Sequence, residues 1–99
     1  MEESNRNFAI TVTEKAQRKL KEVAYDFGSQ FASYHRRRIN ILCEEIFKSL
    51  EQNDKRALEQ AEVDLQDTLY ELDREVRLQY EEDEWDNDYG ISSYINNKP

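Results

Sequence analysis

Apolar residues recur every three or four positions along most of this chain, which is the spacing of one face of an α-helix. Two such stripes stand on either side of the polar turn at residues 51–54. The stripe before the turn consists of Ala16, Leu20, Val23, Ala24, Phe27, Phe31, His35, Ile39, Leu42, Ile46 and Leu50. The stripe after the turn consists of Leu58, Ala61, Leu65, Leu69, Leu72, Val76 and Tyr80. The pattern predicts an all-α protein whose helices run antiparallel across the turn.

The pair Gly28-Ser29 interrupts the first stripe, and a glycine inside a helix costs about 1 kcal/mol relative to alanine. A break at this point gives an antiparallel bundle with helices over residues 12–28, 31–51 and 54–83. A helix that continues through Gly28 gives a two-helix hairpin, which buries so little surface that it would have to dimerise. We prefer the three-helix bundle and keep the dimerising hairpin as the alternative.

The start of the first helix is predicted near Val12, because Thr11 and Glu14 have the spacing of a capping box. Residues 1–11 are mostly polar, and we expect them to form a flexible N-terminus. The helical bundle is then expected to cover residues 12–83.

The last helix is expected to begin after a cap at Asn53 or Asp54. Six of the eight residues 81–88 are acidic, so the helix is expected to fray there. Residues 84–99 have little apolar surface to offset the entropy of ordering, and we expect a disordered acidic tail.

A second apolar strip on the last helix lies off the main stripe and consists of Val63, Tyr70 and Leu78. A helix with two apolar strips is expected to touch two neighbours. In the three-helix bundle, the first helix is therefore expected to fold back and cover Phe27, Phe31, Phe47, Tyr70 and Leu78.

Charge limits the classes of partner that the chain can have. The net charge is −8, and 36% of the residues are charged, which argues against binding to nucleic acid or to an anionic membrane. Residues 14–50 carry a net charge of +3 and residues 51–99 a net charge of −10, so the two parts are expected to attract each other modestly when packed side by side. Protein partners are therefore expected.

The location predicted for the chain is cytoplasmic. Cys43 is the single cysteine, so no internal disulfide can form, and the chain does not resemble a small secreted scaffold. No run of 18 apolar residues could form a membrane span, and the acidic, polar residues 1–5 do not resemble a signal peptide.

Candidate chemistry is sparse, and we predict no catalytic, cofactor-binding or metal-binding residue and no enzymatic activity. The acidic run at residues 84–90 does not fit a calcium loop, because Tyr89 stands where the loop needs glycine and Ile95 where it needs glutamate. His35 and Cys43 are eight residues apart, about 12 Å along a helix, so they cannot act as a catalytic pair. His35 is expected to be a semi-buried residue of the stripe, and Cys43 a small packing or surface residue.

The one basic cluster is Arg36, Arg37 and Arg38. Three successive helical positions fan out over about 200° and form no single patch. Ion pairs with the acidic last helix are the preferred interpretation, and an RNA-binding patch is a distant alternative.

Residues 50–80, with the sequence LEQNDKRALEQAEVDLQDTLYELDREVRLQY, resemble the C-terminal helical lid of DnaK-type heat-shock-70 chaperones. Residues 37–46, RRINILCEEI, resemble the preceding lid helix, and the acidic end with Tyr89-Gly90-Ile91 resembles the acidic tail of some bacterial members. The resemblance extends over roughly residues 14–91.

The resemblance implies a non-catalytic, lid-like module that acts in protein folding and quality control. In the family, the lid closes over a bound peptide and slows its escape, so the implied partners are client polypeptides or the parent chaperone's other domains. The family's ATP-binding and peptide-binding residues lie in domains absent from this chain, and none of them carries over. The chain would be either an excised lid or a small standalone relative. The alternative is a homodimeric helical adaptor or regulatory protein, although a monomer is preferred over a homodimer.

Overall fold

Three α-helices make up the protein in a computed structural model, which describes the backbone of residues 2–92 and the side chains of residues 2–81. Helix α1 covers Glu3–Phe27, α2 covers Ser33–Gln52 and α3 covers Lys55–Ser92. The prediction of an all-α helical bundle is confirmed. The first helix ends at Phe27, with Gly28 as its C-cap, so the alternative of one continuous first helix is wrong.

Contacts between the helices define their directions. Phe8 lies beside Leu58 near the start of α3, and the Phe27 ring lies 5.3 Å from the Tyr80 ring, so α1 runs parallel to α3. Helix α2 runs in the opposite direction, with His35 beside Glu71, and is antiparallel to both. The result is an elongated bundle of 62 × 20 × 20 Å.

Helix α1 begins at Glu3, nine residues before the predicted start near Val12. Thr11 therefore lies inside the helix and does not cap it. The Thr13 hydroxyl donates a 2.8 Å hydrogen bond to the Ile10 carbonyl instead, as hydroxyls inside helices commonly do. Because Ala9 is fully buried, the segment predicted to be flexible packs against the core.

Gly28 ends α1 with φ 92° and ψ 162°, a backbone conformation that is essentially restricted to glycine. Its N–H donates a 2.9 Å hydrogen bond to the Ala24 carbonyl. The connection to α2 closes with Ala32 in the left-handed region, at φ 51°. Gly28 thus allows the chain to reverse where the apolar stripe alone would permit a continuous helix.

The turn between α2 and α3 uses the predicted polar residues. Asn53 adopts the left-handed conformation at φ 56°, and the Asp54 N–H donates to the Ser49 carbonyl at 2.9 Å. The Asp54 carboxylate accepts a 3.1 Å hydrogen bond from the Ala57 N–H, which is the contact of an N-cap. The expected cap is therefore confirmed at Asp54.

The core lies mostly on the predicted stripes, with Ala9, Val12 and Cys43 as additions, and is most extensive between α2 and α3. Its buried apolar residues are Ala9, Val12, Ala16, Leu20, Val23, Ile39, Leu42, Cys43, Ile46, Leu50, Leu58, Ala61, Leu65 and Leu72. Phe27, Phe31, Leu69 and Val76 are half-buried against it. Helix α1 contributes mostly small side chains, and its contacts with the other two helices are fewer than those between α2 and α3.

The second apolar strip of α3 is not covered as predicted. Val63 is 52% exposed, Tyr70 67% and Leu78 47%, and Phe47 of α2 is also exposed. The buried side chains of α1 instead belong to the same core cluster as the main stripes of α2 and α3. Helix α1 therefore leaves the second strip uncovered. Of the residues expected to be covered, only Phe27 and Phe31 are half-buried.

Helix α3 continues to Ser92, beyond the predicted end at residue 83. The expected disordered tail at residues 84–99 therefore overlaps a segment that is helical in the structure. Residues 93–99, which complete that tail, lie outside the described residues.

Candidate interaction surface

His35 and Cys43, the two residues with the most reactive side chains, occupy separate places on α2. The His35 side chain is half-buried, and its Nε2 atom lies 3.5 Å from Oε1 of Glu71 on α3. Cys43 is buried in the core. The structure does not bring the two together, and each takes part in helix packing.

Cys43 is held on the side of α2 that faces α1. The side-chain amide of Gln17 donates to Cys43 Sγ at 3.6 Å and to the Asn40 side-chain oxygen at 3.2 Å. Burial raises the pKa of the Cys43 thiol, and the hydrogen bond from Gln17 partly opposes this increase. A thiol with a raised pKa is less often ionised and is a poor nucleophile at neutral pH.

Arg36, Arg37 and Arg38 point in different directions, as their successive positions predict, and of the three only Arg37 is exposed. The predicted ion pairs between these arginines and α3 do not occur among the side chains of residues 2–81. Within that range, Lys19 of α1 lies against the Asp73 carboxylate of α3, and His35 of α2 lies against the Glu71 carboxylate. The sequence missed Lys19 because no pattern within α1 reveals the register between α1 and α3.

Metal-ligating side chains do not cluster in the described part of the chain, where no group of three or more His, Cys, Asp or Glu residues could hold an ion. The acidic run at residues 84–90, weighed above as a calcium loop, has side chains outside the described residues. No helix within the described residues has both the length and the apolar character needed to cross a membrane.

Grooves between the helices are the main concave features of the surface. The groove between α1 and α3 has a volume of about 470 Å³ and is lined by Lys15, Arg18, Lys19, Glu22, Gln66, Leu69, Tyr70 and Asp73. Half-buried Leu69 and the exposed Tyr70 ring supply its apolar surface, and charged side chains from both helices surround them. Such a surface can bind a protein segment, but it holds no nucleophile with an adjacent base.

Three aromatic rings form a cluster where the end of α1 meets α3. The Phe27 and Phe31 rings stack with their centroids 4.7 Å apart, and Tyr80 meets Phe27 edge to face at 5.3 Å. Both distances lie in the range favoured by aromatic pairs. The cluster packs the end of α1 and the α1–α2 connection against α3.

Comparison with curated proteins gives one consistent group of relatives. Chaperone protein dnaK3 of Synechocystis sp. is 57% identical over 79 residues, which are 80% of this chain and 10% of that protein. Chaperone protein DnaK of Trichormus variabilis is 53% identical over 72 residues, 73% of this chain and 10% of that protein. This chain is related to the C-terminal region of DnaK chaperones. The resemblance inferred from the residues is thus confirmed.

The relationship extends to more divergent DnaK proteins, including chaperone protein dnaK3 of Synechococcus elongatus, which is 42% identical over 81 residues. The chain spans about a tenth of the length of the curated relatives it matches. No family model matches the chain, and no solved structure gave a significant match.

Proposed function

We propose that this chain acts as a non-catalytic, lid-like helical module of a DnaK-type heat-shock-70 chaperone, in protein folding and quality control. The observation that carries the proposal is the 57% identity to a chaperone protein over 80% of the chain. The three-helix bundle supports it, because an elongated helical unit offers a long surface that can cover a bound peptide. The partners are client polypeptides or other domains of a parent chaperone.

The module contributes by contact and carries out no reaction of its own. Two features support this part of the proposal: the separation of His35 from Cys43 and the raised pKa of the Cys43 thiol. The net charge of −8 favours protein partners over nucleic acid or membrane lipids, and the proposed location is the cytoplasm.

A chimera tests the proposal. The chain replaces the corresponding C-terminal region of Synechocystis dnaK3, and release of a fluorescent peptide is compared with that from the same chaperone lacking the region. The chimera is expected to release the peptide several-fold more slowly than the truncated chaperone. Equal release rates, with the helical signal of the chimera intact, would contradict the proposal.

Two leucines of α3 provide matched variants for the chimera. Leu65→Asp places a charge in the core and is expected to bring release back to the rate of the truncated chaperone, because Leu65 is fully buried. Leu78→Asp makes the same change at an exposed position and is expected to leave release slow. If both variants released the peptide as fast as the truncated chaperone, the folding of the bundle would not be the cause of the slow release.

A further inference from the structure

The outer surface of α1 and α3 carries charges in an order that no contact within the bundle explains. We call this surface the α1–α3 face; it consists of Lys15, Arg18, Glu22 and Asp26 of α1 and Val63, Asp67, Tyr70, Arg74 and Arg77 of α3. All nine side chains are exposed. Spacings of three or four residues along each helix place them on one side of it.

Along α1 the sign of the charge changes from positive to negative. Lys15 and Arg18 come first, and Glu22 and Asp26 follow within two turns. Neither pair forms a salt bridge with another side chain of residues 2–81. Helix α1 therefore presents a positive segment followed by a negative one.

Along α3 the sign changes in the opposite sense. Asp67 comes before Tyr70, and Arg74 and Arg77 follow it. These three charged residues also form no salt bridge within residues 2–81. Helix α3 therefore presents a negative segment followed by a positive one.

The change in the sign of the charge occurs at a similar height on α1 and on α3. Lys15, Arg18 and Glu22 line the same groove as Tyr70, and the helices run parallel with Lys19 beside Asp73. Each helix rises 1.5 Å per residue, so Glu22 lies at a height between Arg74 and Arg77, and Asp26 lies within one helical turn of Arg77. The α1–α3 face thus has four quadrants of alternating charge.

This arrangement of charges is complementary to itself under a two-fold rotation. A two-fold axis parallel to the helices places α1 of one copy over α3 of the other at the same height. Lys15 and Arg18 then face Asp67 of the second copy. By the same rotation, Glu22 and Asp26 face Arg74 and Arg77. A two-fold axis perpendicular to the helices would instead place α1 antiparallel on α1, with Lys15 and Arg18 against Glu22 and Asp26. The charge exchange below distinguishes that arrangement from the parallel one, because only the parallel dimer pairs α1 with α3.

The α1–α3 face also supplies apolar area for such a contact. Val63 is 52% exposed and Tyr70 67% exposed, and they lie two turns apart on α3. Tyrosine is enriched at the centres of protein interfaces because its ring buries a large area while its hydroxyl can stay hydrogen-bonded. We propose that the α1–α3 face binds a second copy of this chain in a parallel, two-fold symmetric dimer. This inference goes beyond the proposed lid function and does not depend on it.

A charge exchange between the two helices tests the dimer. One variant carries Glu22→Lys and Asp26→Lys on α1, and the other carries Arg74→Glu and Arg77→Glu on α3. Each homodimer would oppose like charges twice, whereas the heterodimer would restore opposite charges at both contacts. Isologous symmetry makes this outcome specific to α1 packing over α3.

Sedimentation equilibrium over a concentration series measures the result, with circular dichroism to show that each variant remains helical. The wild-type chain is expected to dimerise, each variant to dimerise at least about tenfold more weakly, and their equimolar mixture to recover the wild-type dissociation constant within about threefold. A wild-type chain that stays monomeric overturns the proposal and assigns the face to a different partner. Variants that dimerise normally, or a mixture that does not recover, also overturn it.

Discussion

The Nζ atom of Lys19 lies 2.6 Å from the Oδ1 atom of Asp73 and joins the middle of α1 to the middle of α3. The two side chains are 33% and 53% exposed, so water screens their attraction. We expect the pair to contribute only about 0.2–1 kcal/mol to the free energy of unfolding. A double-mutant cycle with Lys19→Met and Asp73→Asn, measured by urea denaturation, gives this value. A coupling above about 2 kcal/mol would contradict the view of a screened surface pair.

Leu65→Ala is expected to destabilise the bundle strongly, because Leu65 is fully buried in the first half of α3. Truncation of a buried leucine costs about 2–5 kcal/mol of unfolding free energy. Leu42 and Leu72, which are equally buried, should behave in the same way. Thermal and urea denaturation are the measurements, and Leu78→Ala at an exposed position of the same helix is the control. Equal effects at positions 65 and 78 would contradict the packing of α3.

Gly28→Ala is expected to cost about 1–3 kcal/mol through backbone strain. The open space around Gly28 leaves room for a methyl group, since nothing lies within 4 Å of an added Cβ atom, so a steric clash would not be the cause. The φ of 92° would instead force alanine into a conformation that it rarely adopts. Urea denaturation compares this variant with Ser29→Ala in the same connection, which should be nearly neutral. A neutral Gly28→Ala would indicate that the chain bends differently at the end of α1.

Cys43 should make the stability of the protein depend on pH in the alkaline range. Its folded-state pKa is raised by burial, so the folded protein holds the thiol proton more tightly than the unfolded chain does. The corresponding stabilisation is present below the unfolded thiol pKa of about 8.5 and is lost as pH rises through the raised folded value.

Urea denaturation between neutral and alkaline pH measures this loss, and Cys43→Ala should make the profile flatter in that range. Gln17→Ala removes the hydrogen bond that opposes the increase, so it should slow alkylation of the thiol at a fixed alkaline pH. A Cys43→Ala profile that matches the wild-type profile would contradict the assignment to the thiol.

Large apolar residues made α2 and the first half of α3 predictable from sequence. Their large apolar side chains recur at helical spacing between strongly polar neighbours, as at Leu42, Ile46, Leu58 and Leu65. The pattern therefore predicts both the helix and the face that it buries. The Asp54 cap was predictable for a similar reason, because its hydrogen bond is made within a few residues of chain.

The first turns of α1 were missed because their buried side chains are small. Ala9 is the only buried residue of the missed segment, residues 3–11, and alanine gives little hydropathy signal. It has helical spacing with Val12, Thr13 and Ala16, which are also buried and lie inside the predicted helix. Thr11 and Glu14 matched a capping box that helix packing overrode. The spacing of these four residues is the signal that could have extended the helix towards its true start.

Contacts between helices depend on their relative register, which no single stripe determines. The sequence indicated that basic and acidic segments would lie side by side. Among the side chains of residues 2–81, however, the residues that pair with α3 are Lys19 and His35 rather than the arginine cluster. The exposure of Val63 and Tyr70 likewise depends on which side of α3 the first helix occupies.

The small residues of α1 have a consequence for the order in which the protein opens. Ala9 and Ala16 let the backbone of α1 approach the core closely, but each contributes far less apolar area than a leucine of α2 or α3. The free energy needed to lift α1 away should therefore be lower than that of global unfolding, and α2 and α3 can remain paired as a hairpin while α1 is detached. Amide protons of α1 would then exchange with solvent before those of the paired hairpin, making α1 a separate cooperative unit within one small bundle.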